Sequence, residues 1–555
     1  MKDTIMRTQT KSLADGNRTC AILGSNAATR PGRMTEFLVR IILPQKLIYA
    51  HRKFGWSELC QLLSRCQGVA ALRPPGNRIC PAVSALLMRL FCTAALVLSA
   101  FGASAGVVVT TLSTFEGLTN GAAPLAGLVQ GSDGNFYGTT LVDGNLSVNN
   151  GFGDGTVFQI SANGALTNLY SFTGGNDGAN PQAGLVQGRD GYFYGTTSES
   201  RGTNNGAGTV FQISTNGALT NLYSFSGGND GDGPNGLVQG SDGYFYGTTE
   251  LGGTNSNGTV FQITTNGTLT NLYSFTGGND GDSPQAGLVQ GSDGYFYGTT
   301  SSGGLGGPIN GAGTVFKIGA SGALTTLYSF GKVTNAHGVP LDGANPVAGL
   351  VQGSDGYFYG TTEGGGRNNA GAVFQLNTNG TLTNLYSFTG GNDGGLPQAG
   401  LALGSDGNFY GTTVNGGTNN AGTVFKISTN GAFTSLYSFT GGIDGANPYA
   451  GLVQGSDGSF YGTTAEGSQG NAGTVFRLTI VPEFLSVSVT NGVLSLTWST
   501  EAGGTYQLEY NDHSDLNSSN WVNLGTPVVA TGATRSFTDA NTTPNQKFYR
   551  VLLLP

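Results

Sequence analysis

Residues 240–249 read GSDGYFYGTT, and the same ten letters return at 291–300 and 353–362. Near copies are GSDGNFYGTT at 131–140 and 404–413, GRDGYFYGTT at 188–197 and GSDGSFYGTT at 455–464. The second aromatic of each copy is Tyr137, Tyr194, Tyr246, Tyr297, Tyr359, Tyr410 and Tyr461, at intervals of 57, 52, 51, 62, 51 and 51 residues. A period of this length is one supersecondary unit, and several in a row make an array or a propeller. One period from Pro284 contains four β-like pieces: the apolar run of PQAGLVQGSDG (strand a), the aromatic and Thr-rich YFYGTT (b), GAGTVFKI (c) and the alternating GALTTLYSF (d). Aromatic and β-branched residues favour strands, short Asp-Gly and Asn-Gly links favour hairpins, and no segment has a helical period.

The ends of the array are complementary. The chain enters at VVVTTLSTF (Val107–Phe115), which matches strand d alone, and leaves after GTVFRLTI (Gly473–Ile480), which matches strand c. Joining them makes a seventh four-stranded unit from both termini and removes the open sheet edges that invite aggregation. The expected fold is therefore all-β, a seven-bladed β-propeller over residues 106–480 closed by an N-terminal outer strand. The Phe and Tyr of FYG should point to opposite faces of strand b, each filling a gap between neighbours. A proline precedes Gly-Leu in every copy (Pro124, Pro181, Pro234, Pro284, Pro346, Pro397, Pro448) and is expected to start strand a, where its missing N–H is tolerated.

Outside the array the composition changes. Residues 1–87 hold 13 Lys and Arg against 4 Asp and Glu, whereas residues 106–555 hold 10 against 28. All five cysteines and all four methionines precede residue 93. From Met88 the chain reads MRLFCTAALVLSAFGASAG, with a basic start, an apolar run and Ala103-Ser104-Ala105 as a small-residue cleavage site. Residues 88–105 are read as a signal peptide, too short for a bilayer anchor, and residues 1–87 as an upstream extension that does not belong to the exported protein. The exported chain would then have no cysteine and a strongly negative charge, which disfavours nucleic acid and anionic membranes. It is expected to be extracellular or cell-surface, without a membrane span, and monomeric. Residues 485–555 form short alternating strands that suggest a small β-sandwich with Leu494, Leu496, Trp498, Tyr506, Leu508, Trp521, Phe537, Phe548 and Val551 inside.

Strands of alternating direction place the d–a and b–c loops on one face, and that face carries the length variation. The first b–c loop (Leu141–Asp154) has 14 residues where most have 8, and the fourth d–a loop (Gly331–Pro346) is seven residues longer than its sisters. Variable loops on a rigid scaffold are where binding is expected. The candidate residues there are Asp143, Asp154, Asp177, Asp230, Asp232, Asp280, Asp282, Lys332, His337, Asp342, Asp393 and Asp444. The ring of acids has two readings, ordinary Asp-Gly turns or calcium ligation by clustered oxygens, though the full EF-hand spacing is absent. No cofactor is expected. The chain after residue 105 has two histidines, His337 and His513, and no nucleophile elbow, zinc-protease motif or phosphate loop. A non-catalytic scaffold binding a glycan or a surface protein is the expected function, with a carbohydrate-active hydrolase or lyase using the loop face as the alternative.

The string LTNLYSFTGGNDG…PQAGLVQGSDGYFYGTT…GTVFQI closely resembles the GloVer tandem repeat of cyanobacterial and verrucomicrobial lineages, over residues 107–480. The resemblance implies an exported, repeat-built protein and transfers no active site. More distantly, SDGNFYGTT…GTVFKI looks like propeller repeats of bacterial sensor ectodomains, and residues 485–555 resemble fibronectin type III-like modules. If the signal reading holds, N-terminal sequencing of the exported protein will begin at Gly106; a start far from it refutes the reading.

Overall fold

The computed structural model describes residues 39–42 and 106–554, apart from 118–119, 145–152, 201–205, 306–310, 469, 483, 491–492, 501–504, 512–520, 533 and 540–545. The expected signal peptide and nearly all of the N-terminal extension lie outside these residues. Every regular element described is a β-strand.

Seven antiparallel sheets follow one another along residues 106–481. In the first, strands Val129–Gln130, Phe136–Thr140, Thr156–Ile160 and Leu166–Ser171 take positions a to d. The next five repeat this order, and the third carries an additional short strand, Asp232–Pro234. The seventh sheet takes a, b and c from Val453–Gln454, Phe460–Thr464 and Thr474–Val481, and its d strand is Gly106–Thr114. Val107 lies opposite Ile480 and Thr110 opposite Arg477, the pairing of the two ends expected from the sequence.

Each letter of FYGTT has a separate task. The Tyr stacks on the Phe of the following sheet: Tyr137 on Phe193, Tyr246 on Phe296 and Tyr359 on Phe409, with ring centroids 3.9–4.0 Å apart. The series ends with Tyr461 on Phe136, the seventh sheet against the first, at 4.0 Å. Glycine is required between Tyr and Thr because a Cβ at Gly138 would lie 2.7 Å from Phe158 and 2.8 Å from Leu128. The first Thr crosses to the next sheet, as when Thr248 Oγ1 donates to the Ala286 carbonyl at 2.8 Å and Thr412 to that of Ala450 at 2.9 Å. Here too the series closes on itself, with Thr463 donating to Pro124 and Ala126. The second Thr stays within its sheet, where the hydroxyls of Thr140 and Thr156 share a buried hydrogen bond of 2.8 Å.

A second aromatic series runs farther out. The Phe after strand d meets the strand-c Phe of the next sheet edge-on, from Phe172–Phe211 to Phe439–Phe476, with centroids 5.1–5.3 Å apart. Phe115, at the end of the N-terminal strand, makes the same contact with Phe158 at 5.1 Å. A third set of contacts between sheets is made by the glycine of the Gly-Leu pair just before strand a. A Cβ on Gly184 would stand 3.1 Å from the carbonyl oxygen of Gly127, on Gly127 3.3 Å from that of Gly451, and on Gly451 3.0 Å from that of Gly400. Six of the seven glycines face a neighbour's glycine carbonyl in this way, and Gly236 in the third sheet is the exception.

Two details differ from expectation. Strand a is only two residues long, Val-Gln in six sheets, and the prolines lie before it in the d–a loop rather than at its start. Their role is packing. Each presses Cδ against the glycine that opens strand c of the preceding sheet, as Pro181 does on Gly155 and Pro124 does on Gly473. The Gln of strand a accepts a hydrogen bond from a turn N–H of the preceding sheet, for example Ser132 N–H to Gln187 at 2.9 Å and Ser456 N–H to Gln130 at 2.9 Å. In the sixth sheet Leu403 stands at that position.

Beyond the ring, Phe484–Thr490, Val493–Ser499 and Thr534–Asp539 form one sheet, and Thr505–Asn511 with Gln546–Leu554 and two short strands form another. Val39–Ile42 pairs with the Gln546–Leu554 strand. A single apolar cluster draws Leu494, Leu496 and Trp498 from the first sheet and Tyr506, Leu508, Tyr549 and Val551 from the second, with Phe537 packed against it. Phe548 is buried as expected but does not join this cluster; Tyr549 does, because residues 549 and 551 share one face of their strand and 548 lies on the other. Trp521 is half-buried outside the cluster, with the Arg550 guanidinium 4.2 Å above its ring. Lys547 forms a buried ion pair with Asp539 at 2.9 Å, supported by the Tyr549 hydroxyl at 2.8 Å.

The tightest of these glycine approaches is at Gly287, where a Cβ would lie 2.9 Å from the Gly236 carbonyl oxygen. Gly287→Ala is expected to destabilise by about 1–3 kcal/mol through overpacking. Thermal melting checks this, and an unchanged melting temperature would contradict the close approach.

Candidate functional site

The structure brings the d–a and b–c loops onto one face, as expected. Backbone bridges join Ala179 to Glu199, Ala344 to Gly364 and Ala446 to Glu466, one loop to the other around the ring. The acids do not gather there into one cluster; the six aspartates of the repeated turn are each held by their own loop and the tyrosine of the strand d before it.

Asp177 shows the arrangement. Its carboxylate accepts hydrogen bonds from the Tyr170 hydroxyl at 3.0 Å, the Thr173 N–H at 2.8 Å and the Thr173 hydroxyl at 2.5 Å. Asp230 is held by Tyr223 and Ser226, Asp280 by Tyr273 and Thr276, Asp393 by Tyr386 and Thr389, and Asp444 by Tyr437 and Thr440. The seventh d–a loop follows the N-terminal strand, with Ser113 in place of Tyr and Asn120 accepting from the Glu116 N–H. Of the two readings of these acids, turn formation is the one the contacts display. Among the described residues, no group of three His, Cys, Asp or Glu side chains is placed to hold a metal ion.

The phenols respond to their surroundings. Burial and the adjacent carboxylates push Tyr170, Tyr223 and Tyr273 up to about 12. Burial alone would raise the Asp230 carboxyl, but hydrogen bonds from Ser226 and Tyr223 outweigh it and hold the group below its ordinary range. Asp232, two residues on, is raised by burial and by the nearby charges of Glu250 and Asp230. Asp282 accepts from the Ser283 hydroxyl at 2.9 Å. Asp143 is raised by burial, and Asp154 is fully buried beneath Gly174.

The long fourth d–a loop keeps the same attachment. Asp342 is buried and accepts from the Tyr328 hydroxyl at 2.9 Å and the Lys332 N–H at 3.0 Å, although it follows Tyr328 by 14 residues instead of seven. The additional residues fold outward as a small hairpin, with Thr334 bridged to Pro340. The Lys332 ammonium sits 4.2 Å above the Tyr328 ring. His337 is exposed at the tip, its N–H donating to Asn335 Oδ1 at 2.9 Å. Sequence reasoning singled out the acids but missed their tyrosine partners; the recurring seven-residue interval from the Tyr of strand d to the Asp is the signal that pairs them.

Asp230→Asn removes a charge that three hydrogen bonds favour and is expected to cost about 1–3 kcal/mol at pH 7. Because the folded carboxyl lies below its unfolded value of 3.8, its contribution is present above that pH and is lost as pH falls through the folded value. Melting curves of the two proteins should therefore differ at pH 7 and converge in acid; a constant difference would contradict the account.

Among solved structures, the chain is similar to a 6-phosphogluconolactonase candidate of Bacteroides uniformis, at 17% identity and a TM-score of 0.37, covering 57% of this chain and 84% of that one. It is similar to a Dyadobacter fermentans protein of unknown function at 11% identity and a TM-score of 0.36, covering 68% and 99%. A polysaccharide lyase, an ulvan lyase, matches at 10% identity and a TM-score of 0.26, covering 70% and 83%. No curated protein matches the sequence. The model of the Gloeobacter/Verrucomicrobia repeat matches residues 148–340 and 334–490. On that match, which spans most of the ring, the chain belongs to the Gloeobacter/Verrucomicrobia repeat family.

Proposed function

We propose that the seven sheets form a seven-bladed β-propeller followed by a fibronectin type III-like sandwich, exported to the cell surface or medium. In this reading the protein is a non-catalytic binding and structural scaffold. The observation that carries it is how the loop-face acids are used. Each carboxylate of the repeated turn accepts from a tyrosine and from backbone or hydroxyl donors of its own loop, which suits a rigid platform rather than acid–base chemistry. The part of that face that departs from the repeat is the Lys332–Asp342 hairpin, which presents His337 and Val333 outward while its base keeps the common attachment. A protruding, differently composed loop on a stiff frame suits recognition of a glycan or a surface protein.

Replacing residues 331–346 with TGGNDGANP, the sister loop at 173–181, tests this. The replacement should leave the melting temperature nearly unchanged and abolish capture of the ligand found on a glycan array or a panel of surface proteins. Undiminished capture would remove the hairpin from the function. Release of soluble products from a polysaccharide would overturn the scaffold reading in favour of a hydrolase or lyase.

A further inference from the structure

The face opposite the variable loops carries a feature that the repeat does not require. The residue after Asp-Gly in the a–b turn is Tyr192, Tyr244, Tyr295 and Tyr357 in the second to fifth sheets, and Asn135, Asn408 and Ser459 in the first, sixth and seventh. The three small residues are bonded inward. Asn135 Nδ2 donates to Asp133 at 2.9 Å, Asn408 Nδ2 donates to Asp406 at 2.6 Å, and the Ser459 hydroxyl pairs with that of Thr479 at 3.1 Å. The four tyrosines instead remain 39–43% exposed, large rings left in solvent on four successive sheets. The fold holds its turn with Asn or Ser at this position, so the rings are not there for stability.

Their surroundings indicate what they would touch. On the same face, the c–d turns of these sheets expose neutral hydrogen-bonding groups: Asn216, Asn266, Ser321 and Asn379. At the fourth sheet the repeat changes, with Lys317-Ile318-Gly319-Ala320-Ser321 where its neighbour has Gln262-Ile263-Thr264-Thr265-Asn266. The smaller turn opens a depression of about 320 Å³ lined by Asp293, Tyr295, Gly319, Ala320 and Ser321. Tyr295 lies along it, its ring 3.5 Å from the position of a Gly319 Cβ and 5.1 Å from the Lys317 ammonium.

We infer that this arc of four tyrosines and its depression is a second binding surface, for a neutral polysaccharide chain. The negative face of an aromatic ring attracts the partly positive C–H bonds on the flat side of a pyranose. The amides and hydroxyls exposed on the same face match the sugar's hydroxyl rim. A protein interface is built around a continuous apolar centre packed as densely as an interior, whereas the exposed surface between these rings is supplied by Gly, Ala, Ser and Asn. The 28 acids against 10 bases of residues 106–555 oppose a polyanion. The surface is independent of the loop-face reading, which concerns the other end of the ring.

The test is affinity electrophoresis of the purified full chain through gels containing glucomannan, xyloglucan, laminarin or, as the charged arm, alginate. At least one neutral polysaccharide should retard it. Changing Tyr192, Tyr244, Tyr295 and Tyr357 together to Asn should weaken that binding about tenfold or more, with little change in melting temperature. Should the fourfold variant not fold, Tyr295→Asn alone carries the test and should weaken binding about threefold or more. The variant with residues 331–346 replaced by the short sister loop should be retarded like the parent. No retardation by any neutral gel, retardation by alginate alone, or undiminished binding by the tyrosine variants overturns the inference. Loss in the loop variant alone overturns it too, and locates the binding on the opposite face.

Discussion

The structure depends on one constraint: each sheet must bury both of its faces against a near copy of itself. Tyr137 stacks on Phe193 and Phe136 receives Tyr461, so one strand b makes both contacts. Aromatic pairs contribute about 0.5–1.5 kcal/mol beyond the area they bury, and here the contribution is repeated around a circuit. A circuit tolerates no free end. The N-terminal strand therefore supplies Phe115 to the contact with Phe158 that the seventh sheet would otherwise lack. Crossing hydrogen bonds from Thr to the next sheet fix the lateral offset that the stacks alone would leave loose.

The same constraint separates what is fixed from what varies. Residues facing a neighbour recur because the gap they fill recurs. Residues at the turns are free of that demand, and there the copies diverge. On one face the divergence is in length, most visibly the hairpin between Lys332 and Asp342. On the other it is in residue type, most visibly after the Asp-Gly of the a–b turn, with tyrosine in four sheets and Asn or Ser in three. Both departures leave the common attachments intact: Asp342 still accepts from Tyr328, and the turn acids still accept from the tyrosines of strand b, as Asp293 does from Tyr297 at 2.6 Å.

Much of the ring was legible because the repeat prints its own alignment. The four strands, the opposed faces of Phe and Tyr, and the pairing of Val107–Phe115 with the strand at Gly473–Ile480 follow from periodicity and from what each end lacks. The prolines were misplaced because Pro–Gly packing between sheets leaves no local signature; Pro181 meets Gly155, 26 residues earlier. The acids were recognised as a ring but not as tyrosine acceptors, since that pairing depends on the bend of strand d. In the C-terminal part no repeat averages out ambiguity, so Tyr549 and Phe548 could not be ranked by pattern, and Trp521 was assigned to a core that Arg550 keeps it beside rather than within. The exposed tyrosines were hidden by their resemblance to the buried ones two residues on.

The central claim is that residues 106–481 close on themselves with seven sheets. Electron-microscopic imaging of the full chain tests it most directly. The account predicts disc-shaped particles whose face-on averages show seven lobes around a narrow centre, with a small appendage at the rim. Elongated rods, an open arc, or a disc with a different number of lobes would contradict it.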